Sequence, residues 1–408
     1  MKIVLLSFLF EPELGGGAAV VVNQLSRLLV EHSHSVTVVT TWKGSHIKVE
    51  QVDGIKLIRI PALNLYWVAE KDRQATPKKI VWQLIDLWNP LVYRMVRQIL
   101  IEEAADIVHS HKLRGLSPSI WSAAVSAGVK KIVHTCHDYE LLSPEGFFMG
   151  WAGKLAREQN IVMRPYQILR RRYSRFVQEV TAPSQFVLDR HLEMGFFSRA
   201  KTGLISNTHG FGLKEIQLNR EKFSKTRREN PVKKFLYLGR LDKAKGVDLL
   251  FQAFSRIAGQ GQGCLLRVTG WGPLEEALRE KYKHQDNIVF TGPVFGPEKY
   301  KLIRESDMLV APSLSPEPFG IVIVEAYAYG VPVITSRAGA FPELVRDGET
   351  GFLVDTGSVD DLSTVLAKVS QKPVVTKAMS ENCFVEAEKY TVEKFLDGYL
   401  HIYEDNIQ

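Results

Sequence analysis

Short apolar runs recur along this 408-residue chain, and each is followed by a longer segment whose apolar positions have helical spacing. The runs are IVLLSF, VTVVTT, IKLIRI, DIVHSH, KIVHTC and EVTAPS in the first half, then KFLYLG, LLRVTG, NIVFTG, DMLVAPS and VPVIT. Strands alternating with helices predict an α/β fold with parallel sheets covered on both faces. The two series are separated by residues 205–234, which are polar, basic and poor in strand formers. That stretch predicts a linker running into an irregular surface segment, with the boundary near Thr208. The expected domains are therefore 1–207 and 208–388. Val392, Phe395, Leu396 and Tyr399 have helical spacing and predict a terminal helix within 389–408 that packs back on the first domain. Open parallel sheets bind ligands beyond the carboxyl ends of their strands, so two such sheets facing across a cleft would place the chemistry in the strand-to-helix loops.

Bulk composition narrows the field without choosing a function. A chain this long exceeds one ordinary core, and 45% hydrophobic with 24% charged residues is ordinary for a globular protein. The net charge of +7 suits nucleic acid, an anionic membrane surface or an anionic small substrate alike. Cys136, Cys264 and Cys383 are widely spaced and form no C-x-x-C pair, as expected in a reducing compartment. No apolar run approaches the roughly 20 residues of a membrane span. The opening MKIVLLSFLF mimics a signal peptide, but Glu11 and Glu13 cut it short, so it reads as the first buried strand of a cytoplasmic protein.

Four loops could carry chemistry. After the first strand, Gly15, Gly16 and Gly17 precede a helix of small residues; they allow close backbone approach to an anion, or merely a tight turn. GRLDKAKG presents Arg240 and Lys245 at a strand end, two cations that suit a diphosphate or simply a solvated basic turn. TGWGPLEEAL brings Gly270, Gly272 and Pro273 to another helix start. In SPEPFGIVIVEAYAYG, Pro316 and Pro318 hold Glu317 in extended backbone and Gly320 is expected to begin a buried helix. The amides of Phe319, Gly320, Ile321 and Val322 would then point from its amino end toward a phosphate. Glu325, one turn further in, is an acid among apolar residues and needs a partner. Both acids could accept hydrogen bonds from ligand hydroxyls; alternatively Glu325 pairs with a buried arginine or amide and Glu317 is exposed.

His109, His111, His134, Cys136, His137 and Asp138 cluster at two strand ends, but their spacing is not that of a regular zinc site, and a histidine-lined wall is the expectation. No D-x-D motif for a divalent cation, Walker A loop or G-x-S-x-G elbow is present. RPYQILRRRYSR, residues 164–175, holds five arginines and no acid; it is a solvated face or a basic helix that rests on anionic lipid. The aromatics Tyr66, Trp67, Trp82, Trp88, Phe147, Phe148 and Trp151 could stack on a sugar, cover a lipid carrier, or belong to the core.

Taken in order, GRLDKAKGVDLL, TGWGPLEEAL, NIVFTGPV, SPEPFGIVIVEAYAYGVPVIT and GAFPELVRDGETGFLV, with GGAAVVVNQL, HTCHDY and APSQF before them, resemble the retaining glycosyltransferases of family 4. The resemblance spans nearly the whole chain and implies the GT-B fold, two Rossmann-like domains facing across a cleft. It implies transfer of a sugar from a nucleotide-diphosphate-sugar donor to a saccharide, lipid-linked or small-molecule acceptor, with retained configuration and neither metal nor cofactor. It assigns the donor diphosphate to Arg240 and Lys245, the transferred sugar to Glu317 and the ribose to Glu325. Gly16 and Gly17 would lie over the phosphates, and His137 would approach the sugar from the opposite wall. Gly270, Gly272 and Pro273 would shape the nucleotide pocket, and the backbone from Phe319 to Val322 would bind phosphate and sugar. The chain departs from the family pattern at Ser33, at Ser206-Asn207-Thr208 and at Ala340 beside Gly339. The competing expectations are a nucleotide-sugar epimerase of the same fold and a basic, noncatalytic protein that binds polyanions or lipid.

Overall fold

The computed structural model describes every residue except 13–15, 145, 147–162, 225–232, 259–262, 372–376 and 406–408. Gly15, Phe147, Phe148 and Trp151 therefore lie outside the described residues. The chain divides into two compact units, residues 1–206 with 396–408 and residues 207–395. Among the described residues each unit is built on one sheet.

The first sheet has the order β3-β4-β2-β1-β5-β6-β7-β8. Its strands are β1 (Lys2–Ser7), β2 (Ser35–Trp42), β3 (Lys48–Val52), β4 (Ile55–Pro61), β5 (Ile107–Lys112), β6 (Lys131–Thr135), β7 (Glu179–Ala182) and β8 (Lys201–Leu204). Helices α1 (Gly17–Glu31), α2 (Thr76–Leu87), α3 (Pro90–Glu103), α4 (Ser119–Ser126), α5 (Arg164–Ser174) and α6 (Gln185–Glu193) belong to this unit. The apolar runs become strands because both faces are covered: Ile3, Val4, Leu5 and Leu6 are all buried. The expectation of purely parallel pairing fails at one edge. β3 runs antiparallel to β4, joined through Asp53-Gly54, both at positive φ, which is the short turn that hairpins favour. KVEQV gave no apolar signal because most of it faces solvent.

The second sheet has the order β11-β10-β9-β12-β13-β14 and every pair in it is parallel. Its strands are β9 (Lys234–Leu238), β10 (Leu265–Thr269), β11 (Ile288–Gly292), β12 (Met308–Ala311), β13 (Val333–Ser336) and β14 (Gly351–Val354). The helices are α7 (Leu213–Ser224), α8 (Val247–Ala258), α9 (Glu275–Lys281), α10 (Gly296–Glu305), α11 (Ile321–Tyr327), α12 (Phe341–Leu344), α13 (Val359–Gln371) and α14 (Lys377–Ala387). The irregular segment expected at 205–234 is corrected by α7. Its one well-buried apolar residue, Ile216, anchors an otherwise polar helix, and Asn219 donates to the Ala328 carbonyl at 3.1 Å. So polar a helix shows little periodicity in sequence.

The terminal helix α15 (Val392–Glu404) begins in the second unit and ends in the first. Residues 389–395 stay with the second unit, where the Val392 amide donates to Phe211 O at 3.1 Å. From Leu396 onward the helix packs in the first unit. Tyr399 and Tyr403 are fully buried there, and the Tyr403 hydroxyl lies 2.6 Å from His109 Nδ1.

Candidate active site

In the second unit the loops after β9, β10 and β12 are joined backbone to backbone. The Gly239 amide donates to Thr269 O at 3.0 Å, Leu241 N to Trp271 O at 2.9 Å, and Leu274 N to Leu241 O at 2.9 Å. Gly270 has φ +137°, and a Cβ there would lie 1.9 Å from Gly239 O, so no side chain fits. Gly272 lies in this same contact and Pro273 sits exposed at the turn into α9.

Asp242 organises the next turn. Its Oδ1 accepts from the Lys245 amide at 3.0 Å, and its Oδ2 takes Arg240 Nε at 3.1 Å. The Ala244 carbonyl receives the amides of Leu314 and Ser315, at 2.8 and 3.1 Å, which holds this turn against the loop after β12. Lys245 Nζ consequently reaches both oxygens of Glu317, at 2.8 and 2.9 Å. Ser313 Oγ donates to the same carboxylate at 2.5 Å. Glu317 is buried, not exposed, and it pairs with Gly339 in an isolated parallel bridge. A Cβ on Gly339 would lie 2.3 Å from the Glu317 backbone. Arg240 points into solvent, and Lys245 is partly exposed.

Gly320 does not begin α11 but caps it, at φ 127° and ψ 61°. Ile321 and Val322, the first two helical residues, are half-buried, while Phe319 packs edge-on against Tyr390. The helix is therefore less enclosed at its start than its apolar sequence suggests. Glu325 is buried, and its partner is neither an arginine nor an amide. Lys299 Nζ, from α10, donates to Glu325 Oε1 at 2.6 Å. Burial pushes the carboxyl upward, and Lys299 offsets only part of that rise. Sequence reasoning missed Lys299, Ser313 and Asp242. Ser313 and Asp242 each lie close to a strand end in a loop already under suspicion, whereas Lys299 had no local signal.

In the first unit Gly16 caps α1 and Gly17 opens it, both exposed. His137 follows β6, with its Nε2 2.9 Å from His111 Nδ1 and the two rings stacked at 5.2 Å. Desolvation lowers its pKa to about 4, so the ring is neutral near pH 7. His109, His111 and His134 are held well below the ordinary histidine value by burial. Their nitrogens serve neighbours instead: His109 Nε2 lies 2.8 Å from Thr135 Oγ1, and His134 Nδ1 2.9 Å from Ser110 Oγ. Asp138 pairs with Lys112 at 2.7 Å. Among the described residues no group of three His, Cys, Asp or Glu is arranged to hold a metal ion. Trp82 is core, its indole donating to Tyr66 O at 2.9 Å, and Trp67 donates to Thr41 Oγ1 at 3.2 Å.

The fold recurs in known proteins. The family model described as Glycosyltransferase Family 4 matches residues 15–208, and that described as Glycosyl transferases group 1 matches residues 219–384. The chain belongs to the family 4 glycosyltransferases. It is similar to a phosphatidyl-myo-inositol mannosyltransferase of Mycobacterium leprae, 27% identical over 71% of this chain and 70% of that one. It is also similar to an uncharacterized 42.6 kDa protein of the cps region of Klebsiella pneumoniae, 28% identical over 89% of this chain and 92% of the other. Its fold is that of sucrose-phosphate synthase from Thermosynechococcus elongatus, at TM-score 0.72 and 20% identity over 98% of both chains. Anabaena HepE in complex with UDP and glucose aligns at TM-score 0.68 and 20% identity, over 99% of this chain and 100% of that one. This family 4 glycosyltransferase has the GT-B fold.

Proposed function

We propose that this glycosyltransferase takes its sugar from a nucleotide-diphosphate-sugar and passes it to a saccharide, lipid-linked or small-molecule acceptor, with retained anomeric configuration and without a metal ion. The observation that carries the reading is the Lys245–Glu317–Ser313 cluster, set beside Arg240 beyond the carboxyl ends of the central strands β9 and β12. The departing diphosphate gathers negative charge as the glycosidic bond stretches. Preorganised cations and backbone amides stabilise such a transition state electrostatically. Arg240 and Lys245 are assigned to that charge, Glu317 to hydroxyls of the transferred sugar and Glu325 to the ribose.

Retention follows if the acceptor attacks the face that the diphosphate is leaving. The leaving phosphate then takes the acceptor's proton, with neutral His137 assisting. Gly16, Gly17 and the backbone from Phe319 to Val322 supply further contacts to the donor, and Gly270, Gly272 and Pro273 shape its nucleotide pocket. A lipid-linked acceptor would bring the enzyme to the cytoplasmic face of a membrane, where residues 164–175 are proposed to rest; no helix among the described residues is long and apolar enough to cross one.

Donor hydrolysis and sugar transfer are the test. Lys245→Ala, Glu317→Ala and His137→Ala should each lower both, and near-parental rates in all three would sink the assignment. Incubation with donor alone separates this reading from an epimerase, which would convert the donor sugar without any acceptor.

A further inference from the structure

Helix α5 of the first unit carries its amphipathicity reversed, and α2 beside it turns an acid inward and several aliphatics outward. In α5 the inward stripe is polar, formed by Gln167, Arg170 and Ser174, while Ile168 is 50% exposed and Leu169 42%. In α2, Trp82 and Asp86 are inward, while Ile80 is 57% exposed, Val81 46% and Leu84 61%. Burying an arginine and an aspartate while leaving branched aliphatics in solvent inverts the usual preference. The inward groups satisfy each other: Arg170 donates to Asp86 Oδ2 at 3.1 Å and to Glu140 O at 3.2 Å. That bond clamps the two helices together. Trp88, which caps α2, stacks on Tyr173 of α5 at 6.5 Å and is itself partly exposed, so the two outer faces meet there.

We propose that the outer faces of α2 and α5 form one docking surface for an anionic lipid bilayer. The inference rests on the membrane reading of residues 164–175 and extends it to a second helix. Lys78 and Lys79 flank the aliphatics of α2; Arg164, Arg171, Arg172 and Arg175 flank those of α5. The only acid in either helix is the buried Asp86. Aliphatic side chains enter the boundary between headgroups and acyl chains, while cations around them meet anionic headgroups. The other occupants fit less well. A symmetric contact with a second copy would set cation against cation. A nucleic acid would satisfy the cations and leave Ile80, Leu84 and Ile168 against phosphates.

The full chain is cosedimented with vesicles of phosphatidylcholine alone and of equal parts phosphatidylcholine and phosphatidylglycerol. Binding is expected to the mixed vesicles only, weakened about tenfold by Leu84→Asp and, separately, by Ile168→Asp. Ile80→Ser with Leu84→Ser, which removes apolar surface without adding charge, should weaken it in the same direction. Loss with Ile168→Asp but not with either α2 change overturns the joint surface and leaves the reading of 164–175 standing. No sedimentation of the parent overturns both. Binding to heparin that survives the α2 changes points to a polyanion partner, and a dimer that the same changes dissolve points to a second copy; either result overturns the proposal. Donor hydrolysis in solution is measured alongside. Its absence with vesicle binding intact counts against the proposed transferase chemistry and not against this surface.

Discussion

Replacing Arg170 by methionine tests the clamp between α2 and α5 directly. Arg170 is 1% exposed, Asp86 is fully buried, and the guanidinium also lies over the Tyr166 ring at 4.6 Å. Methionine keeps most of the apolar stem and removes the charge. Breaking a buried pair by removing one partner costs about 3–5 kcal/mol, because the other charge is left uncompensated. Here the loss should depend on pH in a particular direction. Burial raises Asp86 from 3.8 to about 7, with Arg170 opposing the rise. The carboxyl holds its proton more tightly folded than unfolded, so its contribution to stability is complete below 3.8 and fades as the pH rises through about 7. Without Arg170 the folded value climbs further, and the variant goes on losing stability where the parent has stopped. At up to about 1.4 kcal/mol per pH unit, raising the pH from about 8, where the parent's loss is nearly complete, to about 9 should add up to about 1.4 kcal/mol to the difference.

The assay is urea unfolding of the full chain at both pH values, followed by tryptophan emission; among the described residues every tryptophan except Trp271 lies in the first unit. The buried His109, His111, His134, His137 and His191 have the opposite sign: held low, they support the fold above 6.5 and cease to do so as the pH falls. They are common to parent and variant and cancel in the difference. Adding Asp86→Asn should abolish the extra pH dependence, since asparagine keeps an oxygen for the Gly115 amide, now 3.0 Å from Asp86 Oδ1, and carries no charge. An equal loss at both pH values, or no effect of the asparagine, refutes the reasoning.

Three further outcomes follow from the geometry. Gly270→Ala and Gly16→Ala both place a side chain at positive φ, but only at residue 270 does the new Cβ strike backbone, so thermal unfolding should drop far more for Gly270→Ala, with nucleotide binding lost as well; equal shifts would contradict the packing described. Lys299→Met removes the one counter-charge that opposes the burial of Glu325, so the acid limb of donor affinity, read as KM against pH, should move to higher pH, and an unmoved limb would remove Glu325 from the donor site. Tyr403→Phe leaves His109 Nδ1 buried without its hydroxyl and should cost about 1–3 kcal/mol in urea unfolding.

Much of the fold was legible because parallel strands buried on both faces read as unbroken apolar runs. β3 and α7 were not, for one reason: both face solvent along most of their length, so their pattern is set by turn geometry and by single anchors such as Ile216. At the site, loops named from glycines and cations are loops the structure joins, through Gly270 against Gly239 and through Asp242. Pairings were less legible. Lys245 and Glu317 lie 72 residues apart in sequence and meet only because the Ala244 carbonyl ties their loops, and Lys299 reaches Glu325 from a different helix. The arginines of 164–175 looked uniform in sequence; helix phase then sent Arg170 inward and left Arg171 and Arg172 outside.

Under the proposed function the Lys245–Glu317 pair settles a conflict that the two assignments create. A carboxylate that grips the transferred sugar lies close to the diphosphate that leaves it, and two like charges at that range repel. An ammonium has three protons and no fixed plane. Lys245 can therefore keep one hydrogen bond to Glu317 and offer another to a phosphate oxygen, so that the acid is neutralised by the same group that draws the leaving group. Ser313 supports this by donating to Glu317 independently of the lysine, holding the carboxylate in place while the ammonium is shared. Arg240 carries no such double duty. Its Asp242 partner orients the guanidinium at the strand end while leaving it in solvent, where it can meet the far side of a diphosphate. The two cations are thus not interchangeable: one screens an internal acid as the bond breaks, and the other collects charge from outside.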